Sequence, residues 1–375
     1  MARFGFLSTF PPTRCGLATF TDALSNSMAL RSDEAFVVRV MDADSPPTPR
    51  EKRRMPVSEM RNGDQASIGA AIRKLNTADI AVIQHEYGIY GGPDGDEVLG
   101  ILAALTVPTV VVLHTVLAEP TAHEKRVLER VVGLASATIV MTETALTLLN
   151  DRYSVDTSSV TVIPHGVPQL PPLVPRLPRI RPVVLTWGLL GPSKGVQWGI
   201  RAFAELSDLR PRPRYLVLGQ THPKILAQDG DAYRDRLLAM VASLGLSSSV
   251  EIDGRYLSAT ALARNLLAAD VVLLPYDSRV QVTSGVLAEA VAAGKPVVAT
   301  AFPHAVELLS SGAGIVVPHE NPSAIAAALR SILEEPGVAH KMELAARAIS
   351  RETAWPVIGA RFRRLALGLR EAVAA

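Results

Sequence analysis

The sequence predicts an α/β fold of two doubly wound, parallel-sheet domains. Three observations predict it. Short apolar runs rich in β-branched residues alternate with longer amphipathic segments along the 375 residues. That length exceeds the roughly 250–300 residues at which a single core stops growing. The alternation is interrupted once, by a proline-rich run at 166–182, and then restarts. Near-continuous apolar strands separated by helices mark parallel sheets covered on both faces.

In the first half the expected strands are "RFGFLS", "FVVRVM", "IAVIQH", "TVVVLH", "ATIVMT" and "VTVIPH", with helical patterns at Ser67–Leu75 and Glu124–Leu134. This is the first domain, 1–165. The run 166–182 lacks the backbone donors that a helix or central strand needs, because proline has none, and is expected to be a linker. The second domain, 183–350, repeats the scheme with "VVLTWG", "GVQWGIRAFAEL", "RYLVLG", "YRDRLLAMVASLG", "VEIDG", "ADVVLLPY", "AGIVVP" and "PSAIAAALRSILEE". The tail, 351–375, has apolar residues at helical spacing from Trp355 to Val373, with Arg361, Arg363 and Arg364 interspersed. Periodicity leaves open whether this helix closes the second domain or crosses back to the first. Two such domains on one linker would face each other across a cleft at the carboxyl ends of their sheets, where open α/β sheets bind ligands.

A formal net charge of +2 excludes the concentrated basic face of a dedicated nucleic-acid binder and leaves anionic small molecules open. Cys15 is the only cysteine, so no internal disulfide forms and a reducing, cytoplasmic setting fits. The N-terminal apolar run is broken by Pro11 and Pro12 and is too short for a signal peptide. No segment approaches the ~20 apolar residues of a membrane span, so the chain is expected to be soluble or peripheral.

The chemistry-bearing residues fall after strands. "QVTSGVLAEAVAAGKPVVAT" places Thr283, Ser284 and Gly285 before a helical run. A helix start with free N–H groups suits a diphosphate, although an ordinary capped helix has the same signature. Glu289, about one turn along, would accept hydrogen bonds from two vicinal hydroxyls or be a solvated helix residue. "TWGLLGPSKG" sets Lys194 among glycines, where it would neutralise phosphate charge, but it matches neither a P-loop nor G-x-G-x-x-G. His85, His114 and His165 end strands, with Glu86 and Tyr87 following the first, and polar strand ends are expected to point into the cleft. Any one of these histidines alone is more often structural. Gly16, in "STFPPTRCGLATF", precedes a helix expected near Leu17. Asp42–Ala43–Asp44 fits D-x-D but reads as a loop. "GGPDGDE" (91–97) and "PREKRR" (49–54) are solvated loops, or else an acceptor-facing lid and a contact with an anionic acceptor or membrane surface. His85, Glu86 and His114 lack the spacing of a metal site, and no metal is expected.

"GLLGPSKG", "LPY", "TSGVLAEAVAAGKPVVAT" and "AVELLSSGAGIVVP", in this order after two α/β patterns, resemble the retaining GT-B glycosyltransferases of family 4. "FPPTRCGLATF", "QHEYGIYGG" and "LHTVLAEPT" look like a bacterial branch of that family. The resemblance implies two Rossmann-like domains and transfer of a hexosyl unit, glucose or mannose, from a UDP- or GDP-linked sugar. The acceptor would be a hydroxyl of a carbohydrate, glycolipid or small molecule. No cofactor beyond the nucleotide sugar is implied. Residue by residue, Glu289 would hold the ribose, and the backbone from Ser284 through Gly285 and Val286 to Leu287 the phosphates. Lys194 would meet the diphosphate, His114 would lie near the donor sugar, and Gly16 falls in the family's first-domain glycine loop.

Two positions depart from the family pattern. Gln281 stands where a glutamate is usual and Leu189 where an arginine is usual, with Arg255 or Arg279 as the expected compensation. Other readings are a GT-B glycosyl phosphorylase or nucleotide-sugar epimerase, or a catalytically degenerate GT-B subunit. Peripheral membrane contact fits the class, and the sequence is silent on oligomeric state.

Overall fold

The computed structural model describes residues 1–30, 32–45, 55–169 and 180–374, and its chain divides into two compact units. One comprises Met1–Gly166 with Trp355–Ala375, the other Val167–Ala354.

Among its described residues the first unit holds seven strands: β1 (Arg3–Ser8), β2 (Glu34–Met41), β3 (Val57–Arg61), β4 (Ile80–His85), β5 (Thr109–Leu113), β6 (Ala137–Val140) and β7 (Val160–Val162). Their order is β3-β2-β1-β4-β5-β6-β7, and every pairing is parallel. One face carries Phe4, Phe6, Val82, Val112 and Ile139. These pack with Phe20 and Leu24 of the helix Gly16–Met28 and with Ile358 and Phe362 of the final helix, Trp355–Ala374. The final helix therefore belongs to the first unit. Trp355 sets its ring 5.1 Å from Phe20.

The second unit holds β8 (Val183–Trp187), β9 (Arg214–Leu218), β10 (Val250–Asp253), β11 (Val271–Leu274), β12 (Val297–Thr300) and β13 (Gly314–Val317), in the parallel order β10-β9-β8-β11-β12-β13. Alternate residues feed cores on both faces, as a buried parallel sheet requires: Val184, Tyr215 and Leu273 on one, Leu185, Val272 and Leu274 on the other. Lys295, wholly buried, donates from Nζ to Leu267 O (2.7 Å) and Ala269 O (2.8 Å), carbonyls at the end of the helix Ala259–Ala268. The Gly-Lys-Pro break is thus also a helix cap supplied from outside the helix. In each sheet the chain reverses direction beside the central strand, between β1 and β4 and between β8 and β11. Ligands of such sheets bind at these switch points.

Candidate functional site

In the second unit, the loops after β8 and β11 meet at the switch point. Gly195 lies in the left-handed region (φ 58°), and a Cβ there would collide with the Pro275 carbonyl oxygen, so only glycine admits the contact. Asp277 then ties the loops together. Its carboxylate accepts from Trp198 Nε1 (2.6 Å) and Gln197 Nε2 (2.9 Å), and its amide donates to Ser193 O (3.0 Å). Lys194, next in the turn, rests its Nζ 4.0 Å from the centroid of the Tyr276 ring, a cation–π arrangement.

The helix Gly285–Ala292 starts from the β11 loop with Ser284 as its N-cap. Of the four residues whose amides were expected to form a phosphate cradle, two are already engaged. Ser284 N donates to His304 Nδ1 (2.8 Å), and Leu287 N donates to Ser284 Oγ (3.2 Å). The Gly285 and Val286 amides have no partner among the described residues. Gln281 donates its Nε2 to Thr283 O (3.0 Å), which turns the amide so that Oε1 is the group left to accept. Glu289 is half-buried and has no hydrogen bond or ion pair among the described residues. Burial pushes its carboxyl up to about 7.

Neither compensating arginine is uncommitted. Arg255 grips Asp253 through Nε (2.9 Å) and Nη2 (2.6 Å), and Arg279 Nη2 lies 3.4 Å from Glu320 Oε1.

In the first unit, Phe20 is the hub of an aromatic cluster, with edge contacts to His114 (4.8 Å) and His165 (5.0 Å). Burial above all, then the neighbouring His165 and His85, hold His114 down to about 3. Burial holds His85 and His165 at about 4, so all three rings are neutral at pH 7. His114 Nε2 lies 2.7 Å from Gln84 Oε1. An amide oxygen only accepts, so Nε2 carries the proton and Nδ1 keeps a lone pair. His165 Nδ1 donates to Gly166 O (2.7 Å).

His85 differs from expectation. It does not project from its strand end: it is wholly buried, and both ring nitrogens lack a hydrogen-bond partner among the described residues. The segment after it folds back over the strand end, with Tyr87 packed on its ring (5.2 Å) and Tyr90 donating to Gln84 O (2.7 Å). Glu86 accepts from Thr115 Oγ1 (2.5 Å). Tyr87 donates to Glu124 O (3.4 Å), and burial raises its phenol above the ordinary range.

Gly16 begins its helix with nothing within 4 Å of where a Cβ would stand, and Cys15 caps that helix through Sγ. Asp42 and Asp44 lie in an exposed loop after β2. Among the described residues, no group of three His, Cys, Asp or Glu could hold a metal ion. "GGPDGDE" is tied to its own unit: Asp94 and Asp96 face His123 (2.8 and 3.6 Å), and Glu97 accepts from Gly63 N (2.9 Å). Residues 49–54 lie outside the described residues.

The predicted residues therefore form two groups. Lys194, Gln281, Ser284–Leu287, Glu289, Arg255 and Arg279 belong to the second unit. Gly16, His85, Glu86, Tyr87, His114 and His165 belong to the first. Sequence reasoning passed over Asp277, His304, Gln84 and Phe20, whose roles arise from contacts distant in the chain and leave no local signal.

Residues 175–349 match the family of glycosyl transferases, group 1. That group 1 match spans most of the second unit, including Lys194, Gln281 and Glu289. The chain is 32% identical over 281 residues to a D-inositol 3-phosphate glycosyltransferase of Kineococcus radiotolerans, covering 65% of this chain and 62% of that protein. It is also 32% identical over 199 residues to a GDP-mannose-dependent alpha-(1-6)-phosphatidylinositol monomannoside mannosyltransferase of Mycolicibacterium smegmatis, covering 51% and 49%. The chain thus spans between about half and three fifths of these relatives' length.

Among solved structures, sucrose-phosphate synthase from Thermosynechococcus elongatus superposes with a TM-score of 0.79 at 18% identity, covering 99% of this chain and 100% of that one. Anabaena HepE, solved with UDP and glucose, gives 0.75 at 16% identity, covering 97% and 99%. These likenesses establish the fold, the GT-B fold of two α/β units. No helix among the described residues is long and apolar enough to cross a membrane.

Proposed function

We propose that the chain is a retaining glycosyltransferase that moves a hexosyl unit, glucose or mannose, from a UDP- or GDP-linked sugar to a hydroxyl acceptor. The observation that carries this reading is one helix start. Two amides without a partner among the described residues, Gly285 and Val286, sit at the positive end of the dipole, and a carboxyl equally without one there, Glu289, follows on the same helix.

In this reading the amides and Lys194 meet the negative charge that grows on the diphosphate as the anomeric bond breaks. Electrostatic stabilisation acts most strongly where charge develops. Glu289 accepts the ribose hydroxyls. Gln281 Oε1 accepts from a hydroxyl of the sugar, without the negative charge a glutamate would bring. The acceptor attacks on the face the diphosphate leaves, with a phosphate oxygen taking its proton, so configuration is retained and no metal is needed. In the first unit, His114 Nδ1 is a neutral acceptor for a hydroxyl, and Glu86, Tyr87 and His165 lie on the side of the sugar acceptor. That acceptor is a carbohydrate, glycolipid or small molecule, handled in the cytoplasm or at its membrane face.

The group 1 match and the names of the relatives support this reading. Its test is incubation with UDP-glucose or GDP-mannose and candidate acceptors in the presence of a chelator. Product anomers are then assigned by proton NMR. Transfer with an α-linked product from an α-linked donor is expected. An inverted product, or activity only with added metal, would contradict it. Nucleotide-sugar binding without transfer or hydrolysis would favour the degenerate binding subunit that Gln281 and Leu189 bring to mind.

A further inference from the structure

Leu189 leaves the β8 loop without a second cation, and both candidate arginines are bound to carboxylates. The structure supplies another group. Gly188 (φ 132°) and Gly219 (φ 137°) let the loops after β8 and β9 touch, because a Cβ on Gly219 would collide with the Gly188 carbonyl oxygen. Two further bonds lock the contact: Leu190 N donates to Gln220 O (2.8 Å), and His222 N donates to Leu190 O (2.8 Å). The other side of Gly188 faces the start of the Gly285–Ala292 helix, with the ideal Cβ position 3.9 Å from Val286 Cγ2. Val286 and His222 thereby flank the glycine loop after β8, the loop that carries Lys194, whose charge acts on the His222 ring.

His222 is half-buried, and its Nδ1 accepts from Lys224 N (3.2 Å). A neutral ring that accepts at Nδ1 holds its proton at Nε2, and Nε2 has no partner among the described residues. Burial, then Lys224 and Lys194, lower its pKa, so it acts as a neutral donor within the field of Lys194.

We propose that His222 is a diphosphate-binding residue, donating its Nε2–H to a phosphate oxygen of the nucleotide beside Lys194. The inference rests on the nucleotide-sugar reading above and assigns to a side chain on the β9 loop the contact that Leu189 cannot make.

The test is calorimetric titration of the full chain with UDP, GDP and the parent nucleosides, for wild type and for Lys194→Ala, His222→Ala and His222→Asn. Asparagine keeps a short acceptor for Lys224 N, and its own donor, Nδ2, is attached directly to Cγ and stands short of the position of the ring Nε2, so it separates helix capping from ligand contact. Both His222 variants should bind the diphosphate about tenfold more weakly, the loss of one hydrogen bond to a charged group, with nucleoside binding unchanged. Wild-type affinity in His222→Asn would overturn the assignment, because capping alone would then explain the residue. If Lys194→Ala weakens UDP or GDP while both His222 variants bind as wild type, this inference falls and the underlying reading stands. If wild type binds neither diphosphate, both fall.

Discussion

The buried Ser284 amide donates to Nδ1 of His304, 2.8 Å away and twenty residues on. This bond fixes the N-cap from outside its helix and decides which amides at the helix start remain for a ligand. It also fixes the tautomer of His304, whose Nδ1 must be unprotonated to accept.

His304→Ala leaves a buried N–H without a partner, which costs about 1–3 kcal/mol. Urea unfolding should show a loss of that size, and unchanged stability would mean that Ser284 finds another acceptor. Nucleotide affinity should fall as well, since the cap no longer holds the two available amides in place.

Glu289 makes pH a probe of the same helix. Burial raises its carboxyl from 4.5 to about 7, so the folded chain holds this proton more tightly than the unfolded chain. Its contribution to stability is present below the unfolded value and is lost as pH rises through the folded one. Binding should run the opposite way. An ionised carboxylate is the better acceptor for ribose hydroxyls, so nucleotide affinity should rise from about pH 5 to 8 and Glu289→Gln should flatten the rise. A wild-type affinity independent of pH would remove Glu289 from the ribose.

Lys194 distinguishes diphosphate from nucleoside. Lys194→Ala removes a charge held over Tyr276 at 4.0 Å and should weaken UDP or GDP by about tenfold or more, with little effect on the nucleoside. Equal losses for both ligands would show that the substitution disturbs the loop rather than a phosphate contact.

Lys295 separates architecture from ligand. Its buried ammonium meets two carbonyls, and Lys295→Met should lower unfolding stability by about 3 kcal/mol, since hydrogen bonds to charged groups contribute about 1.5–3 kcal/mol each. A thermal melt reads this directly. A variant as stable as wild type would show that Met packs there well enough to offset the lost bonds.

The strands were legible where burial is continuous. "RFGFLS" and "IAVIQH" coincide with β1 and β4 because the central strands of a parallel sheet are apolar on both faces. β3, "VSEMR", escaped notice because an edge strand buries little, here only Met60. The helix Pro336–Thr353 escaped for a similar reason, with Met342 and Ala346 its only buried residues. The candidate site was legible in part. A Ser-Gly helix start and a lysine among glycines leave local marks, whereas the Ser284–His304 and Asp277–Trp198 bonds join segments whose proximity no periodicity encodes.

The sequence by itself determined two alternating α/β patterns and the loops in which polar residues gather after strands, because alternation and turn chemistry are local properties of the chain. Tertiary structure decided the rest. It attached the final helix to the first unit through Trp355 and Phe20, and it buried His85 beneath Tyr87. It also left Gly285 and Val286, of four candidate amides, without partners among the described residues. The physical reason is common to all three. An amphipathic pattern specifies that a face will be covered and a polar group satisfied, but the covering residue and the satisfying partner come from wherever the packed chain brings them.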